Sequence, residues 1–250
     1  MLKLYSAIKD SKNIAIVSSS DIKSLALASA IYSYVLQHHK KVSLHSDGFL
    51  KILPWSKDIK KQMPSSADLY ISVGAKLENS LHIKSDLESL YKLLELVKST
   101  TKLNQKIATA LYISMLEMSD YFRSLDVDGM LFAFAKELLS GGAKHEECIK
   151  IAQRSLAAIR LESKMLREFV LVKNATIAVF ELSDEDLDGA TLDDAKRVLK
   201  RAFDLEYVKK SLLIFKQKQE LAEIYVLSVS LEIVKFEKDY KNIEDILSRI

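Results

Sequence analysis

Short apolar runs rich in β-branched residues alternate with long helical patterns through the first half of this sequence. Three such runs, Asn13–Ser18, Lys41–His45 and residues 68–73, have the length and composition of buried strands. The polar cluster Ser18-Ser19-Ser20-Asp21 follows the first run and leads into a helical pattern that continues to about Gln37. Because strands that alternate with helices pair in parallel and are covered on both faces, this pattern predicts an α/β domain with a parallel sheet.

Helical patterns continue through the middle of the chain. Ser85 or Asp86 is expected to cap a helix, and residues 107–116 are almost wholly apolar, which is typical of a buried helix. Residues 130–169 are helical in pattern with one break at Gly141-Gly142, because glycine suits the left-handed conformation that ends a helix. The part after this break, residues 146–169, is predicted to be one long helix that connects two domains.

The last third of the chain predicts a smaller α+β domain. One strand is expected over residues 170–182, followed by an acidic loop and a helix that begins at Thr191. Two further strands over residues 211–216 and 221–236 have the alternation of a hairpin. The predicted organisation is a parallel-sheet domain at 1–143, a connector helix at 144–169 and a second, smaller domain at 170–250.

Composition limits the class of protein. The 250 residues are 48% hydrophobic and 28% charged, as in ordinary folded proteins. We find no apolar run near the roughly 20 residues that cross a bilayer and no signal-peptide pattern, so we expect a cytoplasmic protein with no membrane partner. Cys148 is the single cysteine, which excludes an intramolecular disulfide and a cysteine-cluster metal site. The net charge of +3 does not by itself identify a partner.

Three stretches carry a resemblance to a known family. They are NIAIVSSSDIKSLALASAIYSYV from residue 13, ATALYISMLEMSDYF at 108–122, and the helix, glycine turn and second helix at 132–169. Together they resemble the DHH-family phosphoesterases, in particular the branch of oligoribonucleases and pAp phosphatases that carries a DHH-associated C-terminal domain. The resemblance implies the two-domain α/β fold described above, with residues 170–250 as a truncated form of the DHH-associated domain. It also implies hydrolysis of phosphoesters with manganese or magnesium.

The positions that hold metal in that family carry unsuitable residues in this chain. Aspartate and histidine bind hard divalent ions, whereas serine, lysine, leucine, glycine and methionine do not replace them. His82 is the sole remnant of the D-H-H triplet, and Glu232 stands where the resemblance implies a substrate-binding arginine. We therefore predict no catalytic residue, no bound metal and no cofactor. The altered metal positions are Ser19, Lys23, Leu25, Gly74 and Met118.

Other residues leave alternatives open. Six acidic or histidine side chains near predicted strand or helix ends are candidates for a relocated metal site: Asp21, His45, Asp47, His82, Glu117 and Asp120. For Asp21, capping of the first long helix is the simpler interpretation. Hydroxyls and backbone amides at a helix start also bind phosphate without metal, which makes Ser18, Ser19 and Ser20, together with Ser119, candidate ligand-binding residues. The basic cluster Lys196, Arg197, Lys200 and Arg201 is a candidate nucleic-acid patch.

Three functional hypotheses follow. The first is a DHH-type pseudoenzyme that acts by binding a nucleotide or a protein partner, including a second copy of itself. The second is an active phosphodiesterase or oligoribonuclease with rearranged metal ligands. The third is a non-catalytic binder of short RNA that uses the basic cluster.

Overall fold

The computed structural model describes residues 2–63, 66–124, 127–217, 220–228 and 233–236. The chain divides into two compact units, Met1–Gln153 and Arg154–Ile250. Each unit has its own sheet and its own apolar core. The division falls inside the segment 144–169 that the sequence assigns to the connector.

The described residues of the first unit form a parallel sheet of five strands. These are β1 (Asn13–Ser18), β2 (Lys41–His45), β3 (Ile59–Lys60), β4 (Leu69–Val73) and β5 (Leu81–Ile83). Their order across the sheet is β3-β2-β1-β4-β5, and every neighbouring pair is parallel. The predicted parallel sheet is confirmed. The two edge strands have only two and three residues, which is too short for a periodic pattern in the sequence.

Helices cover this sheet. They are α1 (Leu2–Asp10), α2 (Ile22–Gln37), α3 (Leu87–Thr100), α4 (Gln105–Met118), α5 (Gly129–Ser140) and α6 (His145–Cys148). The almost wholly apolar patterns of α2 and α4 are explained by burial, because these two helices pack against each other inside the core. The buried hydroxyl of Ser114 on α4 joins them by donating to the carbonyl of Lys23 on α2 at 2.8 Å.

Polar residues begin and end these helices as the sequence predicts. Asp21 caps α2 by accepting the N–H of Ser24 at 2.9 Å, and Asp86 caps α3 by accepting the N–H of Ser89 at 2.8 Å. The helix α5 ends before the Gly141-Gly142 pair, where Gly142 has a φ of +101°. That left-handed backbone explains the glycine.

The predicted single helix over residues 146–169 is wrong. The structure instead has the short α6, a 3₁₀ turn at Ile149–Ala152, an extended residue at Gln153, and a separate helix α7 (Leu156–Glu168). Ser155 causes the break, because its hydroxyl accepts the N–H of Ala158 and so starts a new helix. Serine competes with the helical backbone in this way and favours helix starts over helix interiors.

The described part of the second unit contains a mixed sheet of five strands. They are β6 (Val170–Val172), β7 (Ile177–Ser183), β8 (Lys210–Gln217), β9 (Glu220–Ser228) and β10 (Ile233–Phe236), in the order β10-β9-β8-β7-β6. Among these described strands, only β7 and β8 pair in parallel. The helix α8 (Leu192–Val198) begins at Thr191 as predicted, and it shares an apolar core with α7 and the sheet.

The strands of this unit agree with one prediction and differ from another. The hairpin is confirmed, since β8 and β9 are antiparallel and pair Gln217 with Glu220. The single strand over residues 170–182 is wrong, because Lys173, Asn174 and Ala175 form a left-handed turn with φ values of 50°, 54° and 63° that folds β6 back on β7. The position of Glu232, predicted to replace an arginine, lies outside the described residues.

Membrane insertion finds no support among the described helices, none of which combines the length and the apolar character that crossing a bilayer requires.

An ion pair in the second unit predicts a pH-dependent stability. Asp186 bonds to the Lys164 ammonium and accepts both the N–H and the hydroxyl of Ser183 at 2.7 Å. Burial alone raises the pKa of Asp186, but these bonds outweigh burial and lower the pKa to about 2. Because the folded pKa lies below the unfolded value, the stabilisation is present above about pH 4 and is lost as the pH falls towards 2.

We therefore expect Asp186→Ala to lower the free energy of unfolding by about 1–2 kcal/mol at pH 7. The difference from the unchanged protein should shrink between pH 4 and pH 2, as measured by denaturant unfolding at several pH values. The matched control is Glu185→Ala, since Glu185 is exposed on the same turn. Equal pH profiles for the two variants would contradict this role for Asp186.

Candidate functional site

The carboxyl edge of the parallel sheet is the natural place for a site in the first unit. The chain runs from β1 to β2 on one side and returns to β4 on the other side of β1. Ligand sites of open α/β sheets lie where the strand order reverses in this way, in the crevice beyond the carboxyl ends of the strands. In this chain the crevice lies beyond Ser18 of β1 and Val73 of β4.

The loops that leave these strands are tied closely together. The N–H of Ser19 donates to the carbonyl of Val73 at 3.1 Å, which joins the ends of β1 and β4. The hydroxyl of Ser46, just after β2, donates to the carbonyl of Ser19 at 3.3 Å. Gly48 lies so close to the β1 loop that a Cβ there would be 2.7 Å from the carbonyl oxygen of Ser20. Three strand ends therefore meet through backbone and hydroxyl groups.

Gly74, the residue after β4, lies against two serine hydroxyls. It has a φ of +68°, and a Cβ at this position would clash with the Oγ of Ser24 and lie 2.6 Å from the Oγ of Ser19. The Ser24 hydroxyl is itself held by the Ser85 hydroxyl at 2.6 Å. A side chain at residue 74 is thus opposed both by the backbone conformation and by its neighbours. An aspartate, as the family resemblance implies for this position, would require the side chains of Ser19 and Ser24 to move.

The other altered positions are no better suited to a metal. Lys23 is exposed in the first turn of α2, where its ammonium repels a cation. Leu25 is 1% exposed and belongs to the apolar core. Met118 is the last residue of α4 and packs against the same core. The residues present therefore do not fit the divalent metal centre that the fold family implies.

The two histidines considered for a relocated metal site have other partners. His45 is 3% exposed, and its two ring nitrogens lie 2.6 Å from the carbonyl of Gln62 and 2.8 Å from the hydroxyl of Ser43. Burial lowers the pKa of His45, more than the bond to Gln62 raises it. His82 on β5 is exposed and lies 3.1 Å from the hydroxyl of Ser72. Both histidines already make hydrogen bonds within the fold.

Asp21 and Asp47 lie near the crevice but do not form a metal-binding group. The carboxylate of Asp21 accepts the hydroxyl of Ser19 at 2.5 Å as well as the N–H that caps α2. Asp47 is exposed in the loop after β2. Over the described ranges, no three histidine, cysteine, aspartate or glutamate side chains lie close enough together to hold a metal ion.

The last two acidic candidates lie at the end of α4 and in the unusual turn that follows it. Glu117 accepts a hydrogen bond from the hydroxyl of Tyr121, and Asp120 pairs with Arg123 at 3.0 Å. Ser119, predicted as a ligand-binding residue, is fully buried at this helix end, where its hydroxyl donates to the carbonyl of Leu116 at 3.3 Å. These side chains fix the turn.

The serines at the end of β1 and in the loop after it differ in solvent exposure and in their hydrogen-bond partners. Ser18 is 5% exposed, and its hydroxyl donates to the carbonyl of Ser19 at 2.8 Å. The hydroxyl of Ser19 donates to Asp21, whereas Ser20 is exposed at the start of α2. The structure brings these three residues together at the crevice, as the sequence implies, and leaves Ser20 the most accessible of them.

The basic cluster lies in the second unit and is partly neutralised. Lys196 pairs with Asp193 at 3.1 Å and lies 4.3 Å from the centre of the Tyr225 ring. Arg201 donates to the carboxylate of Glu162 at 3.0 Å. Lys200 is partly buried, and Arg197 is exposed. Lys196 and Arg201 thus already have acidic partners.

Sequence reasoning missed the residues that close the crevice. Ser46, Gly48 and Ser85 carry no motif, and Ser85 was assigned only a capping role. Its bond to Ser24 joins residues 61 positions apart. The sequence does contain a partial signal for such a crevice. Serine and glycine follow the β-strands where aspartate and histidine are implied by the resemblance, and these residues indicate a lining of small neutral groups.

No family model matches the sequence, and no curated protein matches it significantly. Among solved structures, an exopolyphosphatase-related protein from Bacteroides fragilis superimposes with a TM-score of 0.78 at 14% identity, over 98% of this chain and 92% of that chain. A putative family II inorganic pyrophosphatase from Methanococcus jannaschii gives a TM-score of 0.37 at 14% identity, over 94% and 98% of the two chains. The exonuclease RecJ bound to manganese gives 0.43 at 12% identity, over 91% and 80%.

The last two superpositions are too loose to inform the architecture of this chain. The likeness to the exopolyphosphatase-related protein covers nearly the whole chain and, at 14% identity, concerns the fold alone. It agrees with the parallel sheet of the first unit and the smaller mixed sheet of the second. The predicted two-domain α/β fold is confirmed at this level, and it is the fold of the exopolyphosphatase-related protein.

Proposed function

We propose that this protein is a catalytically inactive phosphoesterase homologue that acts by binding, with a nucleotide as the ligand of the crevice beyond β1 and β4. The observation that carries the loss of catalysis is the close packing of Gly74 against Ser19 and Ser24. A metal-dependent phosphoesterase needs carboxylates and imidazoles that gather ions and activate water. The crevice instead contains hydroxyls that bond to one another.

The start of α2 supports phosphate binding without a metal. The first backbone N–H groups of a helix have no partner within the helix, and the positive end of the helix dipole attracts anions. In α2 the cap Asp21 satisfies the N–H of Ser24, which leaves those of Ile22 and Lys23 for a ligand. The exposed Ser20 hydroxyl and Lys23 ammonium lie at the same helix start. The Asp21 carboxylate opposes an anion, so we expect modest affinity.

Binding of short RNA through the basic cluster is less well supported, since Asp193 and Glu162 already pair with Lys196 and Arg201. Salt-dependent RNA affinity requires cations that are free to contact phosphates.

The packing at Gly74 predicts a specific loss of stability. We expect Gly74→Ala to lower the free energy of unfolding by about 1–3 kcal/mol, because the added Cβ disfavours the left-handed backbone and meets two hydroxyls. The control is Gly129→Ala at the start of α5, where no atom lies within 4 Å of an added Cβ. The free energies of unfolding of the two variants are compared by denaturant titration. If Gly74→Ala is no less stable than Gly129→Ala, the crevice is more open than described here.

Isothermal titration calorimetry with ADP in the presence of EDTA tests nucleotide binding without metal. We expect binding without metal, weakened at least tenfold by Lys23→Glu because a carboxylate then faces the phosphates. Lys3→Glu is the matched control, since Lys3 is an exposed lysine on α1. Absence of ADP binding, or equal weakening by both substitutions, would contradict the proposed ligand.

A further inference from the structure

An apolar groove lies on the first unit. It is formed by α4, α5 and the turn that follows α4, and its lining includes three aromatic rings, Tyr112, Phe122 and Phe132, together with Leu139. Tyr112 is 2% exposed, and its hydroxyl is held 2.8 Å from Nδ1 of His145. The groove therefore has a fixed, buried aromatic floor.

The wall of this groove exposes large apolar side chains at helical spacing. Phe132 is 57% exposed and Leu139 is 40% exposed, and the two are seven residues apart, on one face of α5. Phe132 stacks on Phe122 with ring centres 5.3 Å apart and an angle of 4° between the planes. Single exposed apolar residues are ordinary, but here the exposed residues follow one another along a helix face beside the stacked Phe122 ring and form an apolar stripe.

The turn that presents Phe122 is strained. Asp120, Tyr121 and Phe122 have φ values of 46°, 57° and 64°, which places three consecutive non-glycine residues in the left-handed region. Each such residue costs about 1–2 kcal/mol, and strain of this kind persists where the surrounding structure enforces it, commonly at functional sites. The Tyr121 N–H donates to the carbonyl of Leu116 at 2.7 Å and helps to enforce it here. The result is an aromatic ring held against the groove.

Lys136 gives the groove its charge. It lies on α5 between Phe132 and Leu139 and contributes to the lining. Lys136 has no acidic partner in any described ion pair, whereas its neighbour Glu137 pairs with Lys98 at 2.7 Å. A cation at the centre of an apolar stripe complements a ligand that is apolar with one carboxylate.

From these features we propose that the groove binds an amphipathic helix of a protein partner. Its apolar side chains at positions i, i+3 or i+4, and i+7 pack on Phe122, Phe132 and Leu139, and an adjacent carboxylate pairs with Lys136. The stripe from Phe132 to Leu139 spans seven residues of helix, or about 10 Å, which matches two turns of a bound helix. The residues that line the groove are not those proposed to bind the nucleotide, and neither proposal depends on the other.

The experiment is a selection from a displayed library of helical peptides on the full-length protein, with removal of peptides that also bind a Phe132→Lys variant. We expect the enriched peptides to carry the apolar spacing together with an acidic residue. In fluorescence anisotropy, their affinity should fall at least tenfold with Phe132→Lys and with Lys136→Glu. The matched control is Phe49→Lys, since Phe49 is 67% exposed and lies outside the groove lining.

Three outcomes overturn the proposal. In the first, no peptide is enriched over the Phe132→Lys background. In the second, the enriched peptides bind the Phe49→Lys and Lys136→Glu variants with equally reduced affinity. In the third, the protein is a dimer in sedimentation experiments and Phe132→Lys makes it monomeric, which assigns the groove to contact with a second copy.

Discussion

The contact of Gly74 with the hydroxyls of Ser19 and Ser24 is the constraint on which the first unit depends. It lets β4 end directly against the loop after β1, so that the N–H of Ser19 reaches the carbonyl of Val73. The start of α2 is fixed by the same contact, because Ser24 lies in its first turn. A larger residue at this position would separate the strand ends and disturb the cap of the longest described helix of this unit.

The hydroxyl groups give this edge a different stability from that of a metal centre. Carboxylates gathered to hold ions repel one another when the ions leave, so such a site contributes to stability only when loaded. In this chain Ser24 and Ser85 bond to each other, and Ser19 bonds to Asp21. These hydroxyls and the single carboxylate satisfy one another within the fold, and they rigidify the edge without a cluster of like charges.

Much of the fold was predictable because apolar periodicity and capping residues act locally. The parallel strands, the caps at Asp21, Asp86 and Thr191, and the hairpin of the second unit followed from neighbouring residues. The broken helix at Gln153 and the left-handed turn at Lys173–Ala175 were missed. A serine within a helical pattern can lie inside a helix or start a new one, so the pattern alone does not decide between them. Of the three left-handed residues of the turn, only Asn174 is of a type that favours this backbone conformation.

For the candidate site too, some features follow from residue types and others depend on tertiary contacts. The unsuitability of Leu25, Met118 and Gly74 as metal ligands follows from residue types alone, because leucine, methionine and glycine have no oxygen or nitrogen side-chain donor. The contacts that fill the crevice could not be predicted, since they join residues far apart in sequence, such as Ser24 and Ser85. The apolar groove also depends on the tertiary structure, which brings Phe122 after α4 onto Phe132 of α5.

The most direct test of the central claim is a calorimetric titration of metal-stripped protein with manganese, paired with a phosphodiester hydrolysis assay on the same preparation. The account predicts neither specific manganese binding nor turnover above the rate without protein. Manganese binding accompanied by turnover that disappears in Asp21→Asn or Glu117→Gln would contradict it. That result would mean that the metal ligands have moved within the fold and that the protein is an active phosphodiesterase.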